Sequence, residues 1–294
     1  MKPIGGFCVL GGDRRQGYLA EALSAEGYPV RAAALEQYSF SDASIKICSL
    51  ERAIEKSEYV ILPLPVTMDS HSLNAPLTLK KIMLDRELAE LLEGKYVFAG
   101  QIDRIPNLEA WHKVKLKDYY RQEPLIVGNA VLTAEAAISL AIQETPYGLL
   151  DSKILVVGFG RIGKSLGMML RGMGCEVTVS ARRREDFAWI RALGLKAVRT
   201  GEIGACISKM EIVFNTVPSM VLSEAVLERC PKRVLILDLA SRPGGVDFIR
   251  AEELGIRAIW ALNLPGKYSP KSAAELIKTT VMDMVEEVNR LEKD

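Results

Sequence analysis

The 294-residue sequence predicts an α/β fold, and three observations carry that reading. Short apolar runs alternate with helix-like segments along the chain, as parallel sheets with helical crossovers require. One such run, Ile154-Leu-Val-Val157, enters Gly158-Phe159-Gly160-Arg161-Ile162-Gly163, a GxGxxG turn that opens straight into a helix pattern. The length also exceeds the roughly 100–200 residues usual for one domain. Together these predict two doubly wound Rossmann-like domains with an interdomain cleft, bridged by long helices.

In the first half, Phe7-Cys-Val-Leu10 reads as a strand that leads through Gly11-Gly12-Asp13-Arg14-Arg15-Gln16-Gly17 into a helix over 18–26, which Gly27 ends. Further strands are expected at 30–34, 45–48, 59–62 and 96–99, with helices at 50–57 and 78–93. A short strand, Leu125-Ile-Val127, then precedes a helix over 131–145 that stops near Pro146-Tyr-Gly148. The second half places strands at 153–157, 175–180, 195–198, 211–216, 233–238 and 256–260. After Pro265-Gly266 a helix pattern over 272–291 runs toward the end without a strand partner. The expected organisation is a substrate domain over 1–130, a connecting helix over 131–148 and a nucleotide domain over 149–268. The C-terminal helix, 272–294, packs back on the first domain.

Composition narrows the function classes. Forty-nine per cent hydrophobic and 26% charged residues are ordinary for a globular protein, and a net charge of +1 argues against nucleic acid as the main partner. No apolar run approaches the roughly 18 residues that span a bilayer. Met1-Lys-Pro-Ile-Gly-Gly6 passes into a strand without a signal-like segment, so no membrane role and a cytoplasmic location are expected. The five cysteines, Cys8, Cys48, Cys175, Cys206 and Cys230, are scattered in apolar patterns and read as reduced core thiols. His71 and His112 are the only histidines and no CxxC or HxxxH spacing exists, so no metal site is expected. Both histidines read as surface or partly buried residues.

The glycine turn carries the most specific chemistry. Gly158 makes the tight turn, Gly160 lets backbone approach a pyrophosphate, and Gly163 lets helix pack close on strand. The helix N-terminus then offers unpaired N–H groups and a favourable dipole to the phosphates. An NAD site usually carries Asp or Glu at the end of the next strand, for the ribose hydroxyl. Here that stretch reads Ser180-Ala181-Arg182-Arg183-Arg184, which suits a 2′-phosphate and suggests NADP, with NAD possible. The alternative is a solvated helix start, although arginine in a first helical turn is disfavoured by the dipole.

Ligands of open α/β sheets sit beyond the carboxyl ends of the strands, so the loops there are the other candidates. In the second half these are Asn215-Thr216-Val217-Pro218 and Asp238-Leu-Ala-Ser241-Arg242-Pro-Gly-Gly245. In the first they are Gly11 to Gln16, Pro63-Leu-Pro65-Val-Thr67 and Gly100-Gln-Ile-Asp103. Gly11-Gly12 reads as a second phosphate turn or, lacking a third glycine, as a substrate loop. Pro63 and Pro65 stop a strand or also touch ligand. Asp238 contacts cofactor or braces its glycine loop, and Arg242 is a surface residue or an anion clamp.

The combination of Gly11-Gly-Asp-Arg-Arg-Gln16, Pro63-Leu-Pro65, the GFGRIG turn, Asp238-Leu-Ala-Ser-Arg-Pro-Gly-Gly245 and Leu264-Pro-Gly-Lys267 with Ser269-Pro270 resembles the family of dipicolinate synthase A subunits over the whole chain. That resemblance implies oxidation of a dihydropyridine dicarboxylate, derived from the lysine pathway, to pyridine-2,6-dicarboxylate (dipicolinate) during sporulation, with NAD(P)+ as acceptor. It also implies work beside a smaller, flavoprotein-like second subunit; a homo-oligomer is expected as well. A ligand with two carboxylates makes Arg14, Arg15 and Arg242 the leading substrate contacts, because a guanidinium fork meets a carboxylate with two parallel hydrogen bonds. Gln16, Ser241 and Lys267 follow, then Thr67 and Asn129. Two other readings stay open: a hydroxy- or amino-acid dehydrogenase of the same two-domain plan, for which the second half offers no histidine base, and a non-catalytic NADP-binding subunit.

Overall fold

The computed structural model describes residues 5–291. The expectations for Met1–Ile4 and for a helix continuing through residues 292–294 lie outside the described residues. The chain divides into two compact units, Met1–Gly128 with Ser269–Asp294, and Asn129–Tyr268.

The first unit holds β1 (Phe7–Leu10), α1 (Arg14–Ala25), β2 (Val30–Ala33), β3 (Lys46–Ile47), α2 (Leu50–Glu55), β4 (Tyr59–Ile61), α3 (Arg86–Leu91), β5 (Tyr96–Ala99) and β6 (Lys115–Asp118). Its strands pair in the order β3-β2-β1-β4-β5-β6, all parallel. Helix α4 (Glu123–Glu144) then carries the chain from the first unit into the second. There follow β7 (Lys153–Val157), α5 (Arg161–Gly172), β8 (Glu176–Ala181), α6 (Arg184–Ala192), β9 (Lys196–Arg199), β10 (Ile212–Asn215), α7 (Glu224–Leu227), β11 (Leu235–Asp238), α8 (Phe248–Glu253), β12 (Arg257–Trp260) and α9 (Leu264–Tyr268). Their sheet order is β12-β11-β10-β7-β8-β9, again all parallel. Helix α10 (Pro270–Leu291) returns to the first unit.

The central strands of each sheet are buried on both faces, which is why they read as continuous apolar runs rather than as alternation. Phe7 and Val9 of β1 enter a core with Leu19 and Leu23 of α1 and Ile277, Val281 and Val285 of α10. Cys8 and Leu10 point the other way, toward Ile54 and Leu88. In the second unit Ile154 and Val156 pack with Leu166 and Leu170 of α5 and with Ala134, Ala137 and Ala141 of α4. Leu155 and Val157 meet Ile203, Ile207 and Leu222 on the opposite face.

Three expectations are corrected, and one strand comes in addition to those expected. Leu125-Ile-Val127 is the first part of α4 and not a strand; a short apolar run cannot by itself separate a strand from a buried helical turn. The edge strand β6, Lys-Leu-Lys-Asp, lacks the apolar run by which the other strands are read. Helix α3 begins only where Asp85 caps it by accepting from the Leu88 N–H at 3.1 Å. Upstream of that cap, Leu73 N to Ile82 O at 2.8 Å and Leu84 N to His71 O at 2.9 Å pair residues 71–73 with 82–84, and turns and bends fill the stretch between them. Finally, α4 is by length and composition apolar enough to cross a membrane, contrary to the expected absence of such a segment, because its polar residues are mostly uncharged. Its alanines 134, 136, 137 and 141 are buried in the second unit's core.

Candidate functional site

In the second unit the carboxyl end of β7 is the centre of the site. Gly158 has φ +99°, which a side chain rarely tolerates, and its amide donates to Ser180 O at 3.2 Å and lies 3.3 Å from Ser180 Oγ. A Cβ on Gly163 would run into the carbonyl of Gly158, so that glycine lets α5 start tightly against the strand. Gly160 is the N-cap of α5, makes no side-chain cap, and has nothing within 4 Å of where a Cβ would stand. The helix therefore begins without a side-chain cap and beside open space at Gly160, the arrangement a pyrophosphate requires. Arg161 is exposed and Ile162 is half-buried against the core.

The neighbouring loops converge on this turn. Thr216 Oγ1 donates to Val157 O at 2.8 Å, and Thr216 N reaches the same oxygen at 2.9 Å, so the loop after β10 is fastened beneath the glycines. Asn215 is fully buried; its Nδ2 donates to Asp238 Oδ1 at 2.7 Å and to Val217 O at 3.0 Å, while its Oδ1 accepts from Val217 N at 3.2 Å. Asp238, also fully buried, accepts further bonds from Ala240 N at 3.0 Å and Gly245 N at 2.8 Å. Both side chains are engaged in bracing two loops, and the exposed Pro218 lies at the rim. Ser180 is likewise buried, 3.4 Å from Thr200 Oγ1.

The arginine run beyond β8 is divided. Arg183 is the residue before α6, and its Nε and Nη2 donate to Asp186 at 3.0 and 2.9 Å, with Glu185 3.4 Å from Nη1. These partners raise its pKa further, the hydrogen bond to Asp186 contributing most. Its charge is balanced inside the unit, and the acidic first turn of α6 relieves the expected conflict with the dipole. Arg182 is exposed and forms no ion pair among the described residues. Arg242, after β11, is exposed with its guanidinium carbon 5.6 Å from the centre of the Trp260 ring, while Trp260 Nε1 donates to Ala240 O at 2.9 Å. Ser241 and Lys267 are exposed. The sequence reading missed Trp260, although an aromatic at the end of the last strand, facing a cationic loop, is a usable signal.

In the first unit the loop after β1 is closed on itself. Arg15, 4% exposed, forks onto Asp13 at 2.9 and 2.8 Å and donates to Leu64 O at 2.6 Å, joining the loops after β1 and β4. This corrects the picture of Arg15 as a free fork awaiting a carboxylate. Asp13 caps α1 by accepting from Arg15 N at 3.0 Å. Gly12 N donates to Asn74 O at 2.8 Å, and Leu73 and Ala75 crowd Gly11. Gln16 is fully buried with neither amide atom hydrogen-bonded among the described residues. Arg14 is exposed, its Nη2 3.3 Å from Tyr18 OH. Thr67 is buried in a turn around Asp69, and Asn129 accepts through its main chain from Thr133 Oγ1 at 2.7 Å. His71 and His112 are exposed.

Residues 6–120 match the family model of the N-terminal domain of dipicolinate synthase A subunits, and residues 118–246 match that of the NAD-binding domain of D-isomer-specific 2-hydroxyacid dehydrogenases. The dipicolinate synthase A subunit of Bacillus subtilis (strain 168) is 31% identical over 289 residues, 96% of each chain. The crystal structure of the dipicolinate synthase A chain from Bacillus subtilis superposes with a TM-score of 0.86 at 29% identity, covering 99% of this chain and 98% of that one. The corresponding protein from Bacillus halodurans shares the fold, with a TM-score of 0.85 at 24% identity over 96% of this chain and 98% of its own. The second unit is thus a nicotinamide-nucleotide domain of the dehydrogenase type, and the chain belongs to the family of dipicolinate synthase A subunits.

Proposed function

We propose that this chain is an NADP-dependent oxidoreductase that converts a dihydropyridine dicarboxylate to pyridine-2,6-dicarboxylate. The observation that carries the reading is the open, uncapped start of α5 at Gly160 in a chain of this family. The residues present fit a dinucleotide: the main-chain N–H groups after Gly160 bind the pyrophosphate, and Gly158 and Gly163 keep the turn tight enough for them to do so. Asn215 and Asp238 act as positioning residues that hold the loops beside that turn. When bound, the nicotinamide supplies the hydride acceptor. Loss of a hydride and a proton aromatises the ring, so the protein's part is mainly orientation rather than strong acid–base catalysis.

Carboxylate recognition is assigned to the exposed Arg242 of the second unit and Arg14 of the first, with Ser241, Lys267 and Gln16, whose buried amide lacks a partner among the described residues, as further candidates. A cytoplasmic location, a homo-oligomer and a second, different subunit belong to the same reading; the last is suggested by the name of the relatives. The test is NADP+ reduction with the dihydropyridine dicarboxylate, with and without the second subunit. Turnover that depends on this chain supports the reading; tight NADP+ binding without turnover in either mixture makes the chain a non-catalytic component. Arg242→Lys keeps the charge but loses the fork, so KM rises by roughly tenfold or more while NADP+ affinity stays unchanged.

A further inference from the structure

The 2′-phosphate end of the proposed nucleotide site is built from more than the arginine run. Arg183 is committed to Asp186 and Glu185. Arg184 is already the first residue of α6, so Arg182 is the guanidinium adjacent to the end of β8. On the other side, β9 runs parallel to β8 with Arg199 paired to Ala181. Ala181 occupies the strand-end place where NAD sites carry their carboxylate. Neighbouring strands lie about 4.8 Å apart, and paired residues project from the same face of the sheet. Arg199 therefore starts one strand spacing from that place, well within the reach of its side chain.

Arg199 is exposed, and its side chain, like that of Arg182, has no hydrogen bond or ion pair among the described residues. Glu202, in the turn that follows, makes no ion pair with it there. The Ser180 to Thr200 hydroxyl contact at 3.4 Å links the ends of the two strands. Two unbalanced guanidinium groups flanking a small residue repel each other unless an anion lies between them. We infer that Arg199 and Arg182 together form the 2′-phosphate clamp of this site, and that Arg183 takes no part in it. The inference rests on the NADP reading above and adds a specificity residue from β9. A phosphate group offers enough oxygens to accept from both forks at once.

The experiment is calorimetric measurement of NADP+ and NAD+ dissociation constants for the full chain and for Arg199→Ala, Arg182→Ala and Arg183→Ala. Arg199→Ala and Arg182→Ala are each expected to weaken NADP+ roughly tenfold or more and to leave NAD+ unchanged, which also reports that the variants are folded. Arg183→Ala is expected to leave the ratio of the two constants unchanged. A wild-type chain without preference for NADP+ removes the underlying reading and the clamp with it. A wild-type preference that survives Arg199→Ala overturns the clamp alone, as does a loss of NAD+ affinity by the same factor as NADP+. A preference abolished by Arg183→Ala returns the phosphate to the residue excluded here.

Discussion

After β1 the chain reads Gly11-Gly12-Asp13, and after β7 it reads Gly158-Phe159-Gly160; each turn then opens a helix of 12 residues. Counted from the first strand of each unit, the two sheets even share one strand order. The helix caps differ. Asp13 caps α1 by accepting the Arg15 N–H, whereas Gly160 gives α5 no side-chain cap. Three residues further on, the bulky Gln16 stands where Gly163 lets α5 close against its strand. Over the first turn lies the chain itself, with Asn74 O accepting from Gly12 N. Topology alone thus does not make a nucleotide site; the residue at the cap, the residue three beyond it, and whatever covers the turn decide.

The sharpest way to break the comparison is Gly160→Val. Open space surrounds that position, so the fold and its far-ultraviolet spectrum should persist, while NADP+ affinity falls by about a hundredfold or more because side-chain atoms fill the pyrophosphate's place. Normal affinity in this variant would locate the site elsewhere. Next in size come the struts that fasten the loops in each unit. Asp238→Ala leaves Asn215 Nδ2 and two main-chain N–H groups without their buried acceptor. Arg15→Ala removes the buried ion pair to Asp13 and the bond to the Leu64 carbonyl. Each should cost roughly 3 kcal/mol in urea denaturation. The difference between them is functional: only Asp238→Ala should also weaken NADP+ binding, and an equal loss in Arg15→Ala would erase the distinction between the units.

How much of this was legible in the sequence differs between the two turns. GFGRIG between strand and helix needs only backbone and glycine, so its role follows from local pattern. The fate of Arg15, by contrast, depends on Leu64, 49 residues away, and that of the Gly11-Gly12 turn on Asn74, neither of which periodicity reveals. Strands buried on both faces were readable as apolar runs, while the charged edge strand β6 and the helical Leu125-Ile-Val127 were not. Arg183 looked like a ligand in sequence because its partner Asp186 comes into range only once α6 has formed.

A smaller effect concerns the cores. Burial, more than any neighbouring charge, pushes the Cys8 thiol of β1 up to about 12 and that of Cys230 up to about 11. An unfolded thiol ionises near about 8.5. Between that value and the folded ones the unfolded chain has released protons that the folded chain retains, so stability falls as pH rises, by at most about 1.4 kcal/mol per pH unit for each thiol. Unfolding midpoints from pH 7 to 10 should show a shallower alkaline decline in Cys8→Ala than in the parent chain. Parallel curves would mean that Cys8 titrates normally in the folded protein.

Of the two turns at the same place in two like-ordered sheets, only that of the second unit is expected to hold a dinucleotide. Calorimetric titration of the chain with NADP+ tests this most directly. One site per chain in the parent and none in Gly160→Val is the predicted result; two sites in the parent, or one remaining in the variant, would contradict it.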